Sequence, residues 1–301
     1  MIMEVKMVPA TPKIYLTQAG PAMRFWSLLR VALIESYRNN SLGLAKGAAY
    51  SGLLAFFPVI TTLATLLVQA RAEAVARTVA SLLYEAVPPG TEDAVRTLFA
   101  VHGQQPKSLL VIATVLAAFA ASGAMISLME GFQAVYHIRE TRSMVRERAV
   151  AMLLVFVTAI PVLGASALIV FGARTERTLI GWLGATEFEG WVVLAGLALR
   201  YCLAFAAFVL VAALMYYLGP NRKQRLSQVF PGALLATVLW LLSTLAFGWY
   251  VRNIANYNLL YGSIGGGLAL LVWMYLMAVI ALLGCEFNAA RERAAGTAKP
   301  A

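Results

Sequence analysis

An all-α, polytopic membrane fold with six transmembrane helices is predicted by three observations. Hydrophobic residues are 61% and charged residues 13% of the 301-residue chain, against roughly 45–50% and about 25% in soluble domains. The charges fall in short clusters separated by uncharged runs. At about 1.5 Å of rise per helical residue, these runs are long enough to cross a hydrocarbon core of roughly 30 Å. The last of them, Gly262–Cys285, carries no charge in 24 residues before it meets Glu286. A soluble chain of this composition could not cover its surface with polar groups.

The elements follow in order. Residues 1–20 include Glu4, Lys6, Pro9, Pro12 and Lys13 and have no apolar core, so they do not read as a cleaved signal peptide. Met23–Arg38 places Arg24, Ser27, Glu35 and Arg38 on one helical face and Phe25, Leu29 and Leu33 on the other. That pattern predicts an interfacial basic helix within a cytoplasmic N-terminal segment, residues 1–45. The alternative is a turn that merely leads into the first span. The six uncharged runs are Gly47–Ala70, Ser108–Met129, Ala149–Ala173, Tyr201–Asn221, Leu226–Val251 and Asn253–Cys285. The fourth span is expected to begin before Arg200, near Trp191, and the sixth near Tyr261. Helices are the expected conformation because lipid offers the backbone no hydrogen-bond partners. Together they define a membrane domain over residues 46–290, with a tail over 291–301.

Between the first two spans, residues 71–107 predict an external helical hairpin. Val75, Val79, Leu82 and Leu83 keep helical spacing, Pro88-Pro89-Gly90 breaks it, and Thr91-Glu92-Asp93 starts a second helix with carboxylates at its positive end. Orientation comes from Lys and Arg. Residues 1–46, 130–148, 219–228 and 286–301 carry 16 of them, whereas 71–107, 174–190 and 252–261 carry 7. Both termini are therefore expected in the cytoplasm. The net charge of +10 is spread over these flanks, which suits anionic lipid and argues against nucleic acid. Membrane lipids are thus the expected partners, and oligomeric state is left open.

Ionisable groups inside a bilayer are costly and point to function. Arg200 lies about nine residues into the fourth span, with Gly196, Ala204 and Ala207 on its face. It is read as an anion-binding group for a phosphate or carboxylate substrate, or as an arginine snorkelling to a helix end. Asn256, Tyr257 and Tyr261 form a polar and aromatic turn that extends this substrate-binding candidate, though a tyrosine belt at the interface explains part of it. Lys46, Glu130 and Glu286 share one membrane depth and predict either a gate or a structural ion-pair layer. Pro58 and Pro161 predict kinks, and Gly262, Gly266 and Gly284 helix packing. Cys202 and Cys285 with the distant His102 and His137 cannot build a standard four-ligand zinc site alone. No nucleophile-elbow, metalloprotease or Walker pattern is present, so neither catalysis nor a metal or other cofactor is expected.

Several blocks in order carry a resemblance: AKGAAYSGLLAFFPV (Ala45–Val59), EGFQAVYHIRETRS (Glu130–Ser143), LMYYLGPNRK (Leu214–Lys223), PGALLATVLWLLSTLAFGWYV (Pro231–Val251) and the stretch Tyr257–Ala289. From about Arg24 to Arg291 the chain resembles the YihY/BrkB family of bacterial inner-membrane proteins. The resemblance implies a six-helix cytoplasmic-membrane protein linked to virulence-factor, envelope or lipid-transport labels. It also implies that the older label ribonuclease BN is a misassignment. Tyr50, Pro58, Arg200, Tyr257, Tyr261, Gly262, Gly284 and Glu286 stand at its recurrent positions. The function expected is a non-ATP-driven transporter or lipid-handling protein, and the rival is a structural envelope protein that transports nothing.

Overall fold

In a computed structural model the described residues are 21–69, 107–138, 142–183, 189–253 and 265–296. They form α1 (Pro21–Arg38), α2 (Ser41–Gln69), α3 (Lys107–Val135), α4 (Met144–Leu183), α5 (Glu189–Leu218), α6 (Leu226–Asn253) and α7 (Gly265–Ala294). No strand occurs among the described residues. Helices α2 to α7 are each long and apolar enough to span a membrane, as the uncharged runs predict. The hairpin expected at 71–107 lies outside the described residues, apart from Lys107.

The spans form a ring. Each packs on its neighbour in sequence, α7 closes the ring against α2, and α7 also reaches across to α3. Successive spans run antiparallel, so the ends of α3, α5 and α7 and the starts of α2, α4 and α6 gather at one end, called here the basic end. Hydrogen bonds among these segments confirm the gathering: Asn39 to Glu286, Arg142 to Gly219 and Arg222 to Glu292.

Helix α1 is present and packs along α7 and the edge of α2. A two-residue turn, Asn39-Asn40, joins α1 to α2. Asn40 adopts φ 54°, the left-handed conformation that asparagine tolerates better than most residues. The faces of α1 differ from the expected two-sided pattern. Leu28 and Ala32 are buried against Leu283, Phe287 and Ala290, and Phe25 lies 5.6 Å from the Phe287 ring. Leu29 packs into the same cluster, so both residues turn toward the bundle.

Two span boundaries also differ. Helix α2 starts at Ser41, before Lys46. Helix α4 runs for 40 residues, about 60 Å, continuing through Arg174, Glu176 and Arg177, where a connection was expected. Charge ends the apolar run there but not the backbone hydrogen bonding, which water tolerates beyond the hydrocarbon. The helices run on through Pro58 and Pro161.

Candidate functional site

The basic end holds the densest polar construction. Along α7 every residue from Leu282 to Ala290 is buried, because α1, α2, α3 and α6 surround this part of the helix. Its approach to α6 depends on two glycines. A Cβ on Gly284 would stand 2.7 Å from the Gly232 carbonyl oxygen and 2.8 Å from Ala236 Cβ, and one on Gly232 would meet Asn288 and the Gly284 carbonyl. Close contact then lets Asn288 serve α6 directly. Its Oδ1 accepts from Gly232 N–H at 2.7 Å and its Nδ2 donates to the Val229 carbonyl at 2.9 Å. These bonds bracket Pro231, which has no N–H to give.

Four further side chains tie the helix ends. Tyr216 Oη donates to the Ala281 carbonyl at 2.7 Å. The Arg142 guanidinium donates to the carbonyls of Leu218, Gly219 and Pro220 at 2.8–3.2 Å, and Gln224 bonds the Tyr216 and Tyr217 carbonyls. Both cap the negative end of α5, whose last carbonyls have no partners within the helix. Burial, reinforced by Arg146 and opposed by Glu147, lowers the Arg142 pKa. Arg222 donates to Glu292 at 2.5 Å and lies 4.0 Å above the Tyr136 ring. Burial first, then Cys285 and Glu292, pushes the Tyr136 phenol upward, leaving it a neutral hydroxyl.

The three charges expected to form one layer are placed differently. Glu286 is fully buried; it accepts from Asn39 Nδ2 at 2.6 Å and lies 3.6 Å from Arg293. Lys46 and Glu130 are exposed, and neither enters an ion pair among the described residues. All three stand toward the basic end of their helices, but Glu286 meets Asn39, ahead of α2, and the helix faces point the side chains apart. Gly284 packs as expected, Gly266 is buried, Pro58 is exposed, and Pro161 lines a groove described below. Asn256, Tyr257, Tyr261 and Gly262 lie outside the described residues.

Arg200 and Arg148 both stand on spanning helices. The Arg200 Nε donates to the Gly196 carbonyl of its own helix at 3.2 Å, so its side chain leans toward the start of α5. Arg148 donates to Ser122 Oγ at 2.8 Å and lies 4.2 Å over the Phe119 ring. Ser122 is fully buried, thirteen residues, about 20 Å, before the end of α3. Arg148 ends an uncharged run and so reads as a boundary residue; only the offset between α3 and α4 carries its head down to Ser122.

Apolar space flanks α4 on two sides. On one side, an open apolar cavity of about 390 Å³ between α2, α3, α4 and α5 is lined by Gly52, Phe56, Ala124, Met125, Thr158 and Val211 among others. Thr158 hydrogen-bonds the Leu154 carbonyl of its own helix at 2.6 Å, which leaves the wall apolar. On the other side, a groove between α4 and α5 is lined by Pro161, Gly164, Ala165, Leu203, Ala206 and Ala207 among others. Arg200 is one turn outward from Leu203. Among the described residues no three His, Cys, Asp or Glu side chains cluster so as to hold a metal ion.

Comparison with known proteins places these features. Residues 33–301 match the family model described as "Virulence factor BrkB". The chain is 32% identical to the ribonuclease-like protein YfkH of Bacillus subtilis over 60% of this chain and 65% of that protein. It is 32% identical to a UPF0761 membrane protein of Alkalilimnicola ehrlichii over 48% of this chain and 33% of that protein. A UPF0761 membrane protein of Vibrio campbellii is 28% identical over 80% of this chain and 74% of its own length. The chain thus spans between a third and under two thirds of the length of the first two relatives. No solved structure matches it.

Proposed function

The chain belongs to the virulence factor BrkB family, and from that premise we propose that it handles a lipid or lipid-linked envelope component in the bacterial cytoplasmic membrane. In this reading both termini are cytoplasmic, no ATP is hydrolysed and no bond is made or broken in the cargo.

The observation that carries it is the apolar space on either side of α4. An open cavity of about 390 Å³ bounded by α2, α3, α4 and α5 falls in the roughly 300–1,000 Å³ range of small-molecule sites. Its wall gives an acyl or isoprenoid chain the surroundings it has in the bilayer. A hydrated solute would lose its water there and gain no hydrogen bonds in return. Helix α4 separates this cavity from the α4–α5 groove, so a tilt of one helix would join the two spaces. Arg200, one turn beyond Leu203, is the group that would meet an anionic headgroup at the outer end of that groove.

The test uses the purified protein in proteoliposomes, with fluorescent phospholipid analogues and a membrane-impermeant quencher. Exchange of lipid between leaflets should depend on the protein. It should fall about tenfold or more in Arg200→Leu, the weight of one charged hydrogen bond, and in Ala124→Trp, which fills the cavity. Native mass spectrometry should show bound phospholipid lost in the same two variants. Unchanged exchange and retention in both variants would overturn the proposal. Protein-independent exchange with no retained lipid would favour the structural reading, which the tightly packed basic end supports.

A further inference from the structure

Helix α1 has three faces where an interfacial helix needs only two. The bundle face, Leu28, Ala32 and Ser36, is buried. It packs against Leu283, Phe287 and Ala290 of α7. Those three residues belong to the last spanning helix, so α1 lies outside the ring alongside the basic end of a span. A second face exposes Met23 69%, Trp26 67%, Leu33 53%, Ile34 50% and Tyr37 79%. A third edge carries Arg24, Ser27 and Arg38, with Arg38 bonded to Glu35 at 3.0 Å. Arg30, also exposed, projects from within the apolar face.

An apolar face of this size is unfavourable in water, and its composition identifies what covers it. Leucine and isoleucine suit acyl chains, tryptophan and tyrosine suit the boundary with the headgroups, and arginines among them suit phosphate. We propose that the outward face of α1 is a docking surface for anionic phospholipids of the leaflet at the basic end. Arg24, Arg30 and Arg38 would meet the headgroups, and Trp26 and Tyr37 the glycerol level. Binding there would hold α1 on α7 and keep Asn39 on the buried Glu286, because only one turn joins Tyr37 to Asn39. None of these residues lines the cavity bounded by α2, α3, α4 and α5 or the α4–α5 groove, so the surface and the lipid-handling reading fail or stand separately.

The full chain is placed in nanodiscs of phosphatidylcholine alone, or with about 30 mol% phosphatidylglycerol, and amide hydrogen exchange is followed over residues 21–40. Anionic lipid should slow exchange there by roughly tenfold, as expected for arginines that each gain from a negative surface. Exchange over residues 205–218 of α5, a helix on which α1 does not pack, should not respond. The triple variant R24Q/R30Q/R38Q should lose most of the difference between the two lipids. If that variant loosens the bundle, R30Q alone, which alters no bundle contact, should lose a share of it. Equal exchange of the native chain in both lipids overturns the proposal, as does an undiminished lipid difference in the arginine variants. Protection that instead rises with protein per disc at fixed lipid composition also overturns it, since a second copy of the chain would then cover the face.

Discussion

The buried third of α7 and the middle of α4 are built from the same small residues and do opposite things. On α7, Gly284 faces Gly232 so closely that a methyl group on either would strike backbone. On α4, a Cβ added to Gly164 would find nothing within 4 Å, and the space beside it is the apolar groove shared with α5. Small residues in membrane helices usually bring backbones together, since lipid supplies no hydrophobic drive between helices. Here they do so at the basic end, where Asn288, Tyr216 and Arg142 then satisfy the exposed backbone. Beside α4 they leave room instead. The basic end is therefore a fastened cap, and the flanks of the middle of α4 are the part with space to take something in.

Substitution at the contact should give the largest effect. Gly284→Val places branched carbon against the Gly232 carbonyl and Tyr216 Oη, and should destabilise by about 3 kcal/mol or more. The check is thermal unfolding in detergent alongside gel filtration; a native-like melting temperature would break the distinction between the two regions. Asn288→Leu should follow, at roughly 2–3 kcal/mol, because it leaves the Val229 carbonyl without the side-chain donor that Asn288 supplies next to Pro231. Unfolding in denaturant should show the loss, and Asn288→Gln should not rescue it, since the longer amide cannot fit between the two glycines. The smallest effect belongs to the vacancy. Gly164→Ala should be neutral or stabilise by up to about 1 kcal/mol, because the helix gains propensity and the methyl meets nothing. Clear destabilisation there would mean that the groove is a packed contact and not a space.

Much of this was legible in the chain. The six spans followed from uncharged runs of sufficient length, and the gathering of the basic segments at one end followed from their alternation. What failed did so for identifiable reasons. Lys46, Glu130 and Glu286 all stand near the basic end of their helices, but position along a helix says nothing about which way a side chain points around it; Glu286 turns inward to Asn39 while the other two face out. Arg148 was read as a boundary because it is charged, yet the offset of α4 against α3 lowers its guanidinium to a buried serine. Phe25 and Leu29 looked like a lipid face and instead meet Phe287, because α1 rests on α7. Asn288 carried no signal at all: an uncharged amide after a span becomes important only when another helix starts beside it.

By itself the sequence determined the solvent and the count of helices, because hydrocarbon excludes charge and unsatisfied backbone from any run of about twenty residues. It determined which ends meet, since consecutive helices that each cross the bilayer must alternate in direction. Only the tertiary structure decided which glycines are contacts and which are vacancies, and which charge is buried and which is free to face out. Those outcomes depend on the rotation and offset of one helix against another, set by side chains far apart in the chain, and no local pattern records them.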